Sequence, residues 1–217
     1  MDPGLNQLLK WSIENSEVPR SDPTSATDNK AERPDWPAGR PLNPDSLRSL
    51  MGGPSDADLM KESMAAIRSP EVSVEDKLVA FDNFEQLIES IDNANNMEAL
   101  GLWIPLVSQL ENEEADIRRM AAWCVGTAVQ NNVKAQERLL AVGAIPILIH
   151  MANEDTNEAV RKKSTYALSS EIRNYQPGLD EAIKALPKTL KPDRAVDAGN
   201  MEAVDRIMAG LRKESII

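Results

Sequence analysis

Side chains suited to covalent or metal chemistry are few in this chain, and they stand apart. It has 217 residues with one histidine, His150, and one cysteine, Cys124. A zinc site takes about four His, Cys or carboxylate ligands, and neither residue has such company in the sequence. His150 follows the apolar run Ile147 to Ile149 and reads as a structural histidine with its ring satisfied. Cys124 sits inside a helical apolar pattern and reads as buried core. A lone cysteine makes no internal disulfide, which fits a reducing compartment. The carboxylate clusters Glu111 to Asp116 and Glu154-Asp155 precede long helical patterns, where negative charge suits a helix N-terminus. They are expected to be solvated loop charge. Phosphate-cradling glycine loops, nucleophile elbows and calcium-loop spacing are all missing from the sequence. Catalytic residues, cofactors and metals are therefore not expected, and the remaining chemistry is recognition.

The recognition candidates are large and charged residues that recur in step. Ile104-Pro105 recurs as Ile145-Pro146, a step of 41. Trp123 recurs as Tyr166 and Asn131 as Asn174, steps of 43, and Gly101 as Gly143, a step of 42. A period in the low forties with helical patterning predicts an α-solenoid of the armadillo or HEAT type, whose curved face binds other macromolecules. Long helices are predicted from near Glu75, Ile117 and Val160, with residues 74–101 the back half of a first unit. Pro105 and Pro146 fall in the first turn of their helices, where proline is tolerated. This alignment puts Phe81, Trp123 and Tyr166 at one register, facing a groove. Four residues on are Glu85, Thr127 and Ser170. One turn earlier are Lys77, Arg119 and Lys162, and two turns beyond are Gln130 and Arg173. Ala80 lies beside Phe81, and the small Gly126 and Ser169 would let a partner approach closely. Aromatics and arginines commonly anchor protein interfaces.

The elements around them follow from composition. Net charge is −11 and hydrophobic content 41%. The acidity argues against nucleic acid and anionic membranes as partners. The N-terminus lacks the basic start and apolar run of a signal peptide, and a membrane-spanning run is not expected. Residues 1–16 predict a short amphipathic helix, with Leu8, Leu9 and Ile13 on one face and Trp11 on the flank. Residues 17–44 hold six of the 14 prolines and predict a flexible linker. Helical repeats are predicted over 45–187, including a helix capped by Ser55 that ends near Arg68 and a turn over residues 92–96. Residues 188–217 predict a linker and a capping helix from Met201 to Arg212. The fold class is all-α.

Several blocks resemble one family. Leu8-Leu9-Lys10-Trp11-Ser12-Ile13-Glu14-Asn15-Ser16, Leu59-Met60-Lys61-Glu62-Ser63-Met64 and Lys77-Leu78-Val79-Ala80-Phe81-Asp82-Asn83-Phe84-Glu85 are similar to blocks of the fungal Fes-type nucleotide exchange factors. Ile91 to Asn96, Gly126 to Asn132, Tyr166 to Ser170 and Ile172-Arg173-Asn174 fit the same family. The resemblance covers roughly residues 5–16 and 55–175. The proline-rich insert is longer than expected for the family, and the part after Pro177 looks abbreviated. The resemblance implies a cytoplasmic, monomeric co-chaperone of the seventy-kilodalton heat-shock chaperone. Its armadillo groove would grip the chaperone's ATPase domain, so that ADP and then the client are released. Leu8, Leu9, Trp11 and Ile13 would contact the substrate-binding domain. The alternative is an armadillo-type adaptor that holds basic peptides with repeated Trp and Asn.

Overall fold

Nine-residue to fifteen-residue helices dominate a computed structural model that describes residues 53–214. The expected helix over 1–16 and the linker over 17–44 lie outside the described residues, as do residues 45–52 of the predicted repeats. Two serines start the order. Ser55 and Ser73 each accept the backbone N–H three residues on, at 3.2 and 3.1 Å, and each donates its hydroxyl to that residue's carboxylate. These caps satisfy N–H groups that a helix start leaves open. They open α1 (Asp56–Arg68) and α2 (Val74–Ile88).

The chain continues through α3 (Ile91–Asn96), α4 (Trp103–Ser108, running into a 3-10 turn at Gln109–Glu111) and α5 (Ala115–Val129). It repeats that order as α6 (Val133–Ala141), α7 (Ala144–Glu154) and α8 (Glu158–Ile172). The third round holds α9 (Gln176–Ala185), a 3-10 turn at Lys188–Leu190 and α10 (Met201–Glu214). The expected turn at 92–96 is a helix instead. Asn93, read as a turn-former, donates its amide to the Leu87 carbonyl and to Asp56, both at 2.9 Å, which ties the short helix to α2 and α1.

The described residues form an all-helical α-solenoid. The three long helices α2, α5 and α8 lie side by side, α5 between the other two, and the shorter helices pack behind them. Residues from Ser55 onward form one compact unit. Matching left-handed turns punctuate the repeat: Gly101 and Gly143 at φ 67° and 73°, Asn131 and Asn174 at φ 54° and 56°. Glycine and asparagine tolerate that conformation where other residues strain.

The repeat register is finer than the sequence steps suggested. Helix α5 follows α2 by 41 residues at both ends, and α8 follows α5 by 43. Aligning Phe81 with Trp123 uses a step of 42, one residue off. One residue on a helix is a turn of about 100°, so Phe81 takes the core position of Ala122 and both are fully buried. In the shorter helices, buried Trp103, Leu106 and Val107 match buried Ile145, Leu148 and Ile149 at a step of 42. The Ile-Pro pair is therefore out of register: Ile104 is 71% exposed and Ile145 is buried.

One acidic cluster is structural rather than solvated. Asp155 accepts two hydrogen bonds from Arg118, at 2.7 and 3.1 Å, and Arg118 also donates to the Asn112 and Glu113 carbonyls. The arginine thus joins the loops preceding α5 and α8. Burial opposes the charge on Asp155, yet the Arg118 hydrogen bond, the Asn157 N–H and the charges of Arg118 and Arg161 hold its pKa below the usual range. His150 is exposed on α7 with Glu154 at 3.3 Å. At the far end, α10 lays Val204, Met208 and Leu211 against the solenoid and packs on α7 and α8. The segment leading to it is pinned by Asn174 N–H to the Ala198 carbonyl and by the Gln176 amide to Val196 and Ala198.

Candidate groove across the long helices

Five of the residues expected to face a partner meet in one open groove of about 510 Å³ that crosses α2, α5 and α8. They are Glu85, Trp123, Thr127, Gln130 and Tyr166, joined by Glu89, Ile91 and Asn131. Hydrogen bonds stitch its floor from helix to helix. Thr127 donates its hydroxyl to Glu85 at 2.7 Å, and Tyr166 donates its hydroxyl to Gln130 at 3.1 Å. Glu85 is 5% exposed, so the threonine bond provides what water no longer can. Beneath them the Cys124 thiol approaches the Phe81 carbonyl at 3.8 Å, and burial pushes that thiol's pKa up.

Gly126 explains how the two ring-bearing helices come so close. A Cβ there would stand 2.4 Å from the Tyr166 ring and 3.1 Å from the Ala167 Cα. The glycine makes room for the protein's own tyrosine, not for a partner as the sequence suggested.

The other expected residues lie elsewhere. Phe81 is core. Ala80 is buried and borders a cleft between α1 and α2, with Leu59, Ala66 and Asn83. Lys77 is half-buried on α2. Lys162 is exposed and pairs with Glu158 along its own helix at 2.7 Å, and Arg119 pairs likewise with Asp116 at 3.2 Å. Ser170 gives its carbonyl to the buried Gln136. Arg173 turns to the end of the solenoid, donating to Ser169, to the Met201 sulfur and to Asp205 at 2.5 Å. The tail residues Leu8, Leu9, Trp11 and Ile13 lie outside the described residues.

Sequence reasoning missed Lys163. Its ammonium stands 3.8 Å from the centre of the Trp123 ring and 5.6 Å from that of Tyr166. The available signal was local: Lys163 precedes Tyr166 by three residues, and i,i+3 residues share a helix face. Counting by 43 from Arg119 lands on Lys162, on the wrong side.

Neither a metal-holding cluster nor a helix long and apolar enough to cross a membrane occurs among the described residues. A solenoid with a groove floored by aromatic and polar side chains is a binding module. The sequence matches the family description "Nucleotide exchange factor Fes1" over residues 5–97 and "SIL1/FES1/HPBP1 C-terminal domain" over 93–181. The chain belongs to the Fes1 nucleotide exchange factor family. Similar relatives named "Hsp70 nucleotide exchange factor FES1" occur in Gibberella zeae (56% identity over 98% of this chain and 97% of the relative) and Coccidioides immitis (48%; 98% and 99%). In Neurospora crassa the corresponding protein is 46% identical over 99% of both chains. A crystal structure of an engineered protein shares the fold, with a TM-score of 0.53 at 14% identity, over 78% of this chain and 71% of that one.

Proposed function

We propose that this protein is a cytoplasmic, monomeric nucleotide exchange factor for Hsp70, the seventy-kilodalton heat-shock chaperone. The groove across α2, α5 and α8 grips the chaperone's ATPase domain and holds it in the conformation that releases ADP. ATP then enters and the client leaves. Residues 45–187 supply the grip, 188–217 close its end, and Leu8, Leu9, Trp11 and Ile13 reach the substrate-binding domain from beyond the linker over 17–44. The observation that carries this reading is a relative named as an Hsp70 nucleotide exchange factor, 56% identical and matched along nearly its whole length.

A protein with no chemistry of its own accelerates ADP loss only by binding the open chaperone more tightly than the ADP-closed one. ADP then weakens this protein's binding by the same factor, and a tenfold effect is worth about 1.4 kcal/mol. A second, tethered contact raises avidity through effective concentration without changing the groove. The adaptor alternative gains no support, because Thr127 and Glu85 stand where repeated asparagines would be needed and they bond to each other.

Stopped-flow release of a fluorescent ADP from Hsp70 tests the reading. Release accelerates with added protein to a plateau. A rate that stays flat at saturating protein refutes it.

A further inference from the structure

Lys163 is placed oddly for a lysine. It is half-buried, and burial pushes its pKa down, with Arg119 adding to the shift and Glu85 opposing it. Among the described residues no carboxylate lies within ion-pair distance of it. Glu85, the acid whose charge reaches it, accepts a hydrogen bond from Thr127 instead. Packing alone does not call for a charge there. The same position on α5, a step of 43 earlier, is the buried Met120.

The two rings hold the ammonium through their negative faces, and that attraction uses only one side of it. An ammonium has three donors, and those turned away from the rings remain for a ligand. The rings also restrain the lysine stem, so less rotamer freedom is lost when a ligand binds. Within a chain of net charge −11, this is a partly desolvated cation seated on two rings of the groove, with no ion-paired acid among the described residues. Charge complementarity calls for one from outside.

We propose that Lys163, seated on Trp123 and Tyr166, is a carboxylate-binding anchor that takes one Asp or Glu side chain of the Hsp70 ATPase domain. This rests on the exchange-factor reading.

The test measures affinity for the isolated, nucleotide-free Hsp70 ATPase domain at low and physiological salt. Lys163→Met keeps the stem on the rings and removes the charge. It should bind at least about tenfold more weakly and with a shallower salt dependence, while Lys163→Arg stays within about threefold of the parent. Thermal midpoints of both variants check the fold. Among single Asp→Asn and Glu→Gln exchanges on the ATPase domain, one should show no further loss when combined with Lys163→Met. Additivity at every acidic position overturns the anchor, and so does a Lys163→Met variant that binds within about threefold of the parent. Those results leave the exchange reading standing, whereas a parent chain that fails to bind overturns both.

Discussion

Helices α5 and α8 are two versions of one part. Both have 15 residues, they lie against each other, and a step of 43 aligns them throughout. Arg118 and Arg161 match, and each donates to a backbone carbonyl six residues earlier, Asn112 and Asp155 respectively. Arg119 and Lys162 match, and each pairs with an acid on its own helix. Among the divergences in the body of the helix are Met120 against Lys163, Gly126 against Ser169 and Ala128 against Glu171. Helix α5 is the packed middle of the solenoid, with apolar or missing side chains where neighbours press on both sides. Helix α8, one step nearer the end, carries polar or charged groups at the same positions. The scaffold repeats, while its decoration follows what stands next to each copy.

The arginines provide the largest expected effect. Arg118 has the Asp155 carboxylate of the following loop; Arg161 has no ion pair among the described residues, and its buried Nε lacks a hydrogen-bond partner there. Arg118→Met leaves the Asp155 side chain, 6% exposed, without its main counter-charge. Losing one member of a largely buried pair costs about 3 kcal/mol. Urea unfolding at neutral pH should show that loss, and Arg161→Met should lose distinctly less. The sign with pH follows from the lowered pKa of Asp155. A depressed acid adds stability above its unfolded pKa and loses it as pH falls through the folded value. The gap between parent and Arg118→Met should narrow below about pH 4, near the ordinary pKa of Asp. Equal losses for Arg118→Met and Arg161→Met would erase the distinction between a joined and an unjoined loop.

Glu171 gives the next effect, with the opposite sign. Where α5 has Ala128, α8 buries a carboxyl group completely, and neither of its oxygens has a hydrogen-bond partner among the described residues. Burial raises its pKa to about 9, so the folded protein keeps a proton that the unfolded chain releases near the ordinary carboxylate value. The unfolded state then binds fewer protons, and stability falls as pH rises from about 4.5 until the folded group ionises near pH 9. The slope is at most about 1.4 kcal/mol per pH unit. Glu171→Met keeps the bulk and removes the titration. It should be more stable than the parent by up to about 5 kcal/mol at pH 8, with the difference shrinking toward pH 5. A parent and variant that keep parallel stability curves across this range would mean that Glu171 is not a neutral buried acid.

Much of this architecture was legible in the sequence because it rests on backbone chemistry. Ser55 as a cap, the matched Gly101 and Gly143, and the helical period are all written in residue type and spacing; Ser73 then proved to cap the next helix in the same way. Trp123 and Tyr166 also aligned correctly, because the step between their helices is constant. Phe81 did not, since a single-residue change in step rotates a side chain from groove to core and leaves composition untouched. Long-range pairs were not legible at all. Arg118 and Asp155 are 37 residues apart, and as a sequence pattern the acid looks like any other loop carboxylate. Gly126 was noticed for the right reason, close approach, but the approaching group is the protein's own Tyr166.

Lys162 and Lys163 put the same point at the scale of one residue, and here the smallest effect is expected. They are neighbours in sequence, yet about 100° apart around the helix. Lys162 projects into solvent with its side chain 74% exposed, paired to an equally open Glu158. Such pairs contribute about 0–1 kcal/mol because water and salt screen them. Lys162→Met should therefore move urea-unfolding stability by less than about 0.5 kcal/mol. Its affinity for the Hsp70 ATPase domain should stay within about twofold of the parent, under conditions where Lys163→Met loses tenfold. If the two substitutions weaken binding equally, the groove responds to net charge on α8 alone, and the ring-seated position of Lys163 has no special part in it. If only Lys163→Met weakens it, the effect depends on which face of α8 carries the lysine.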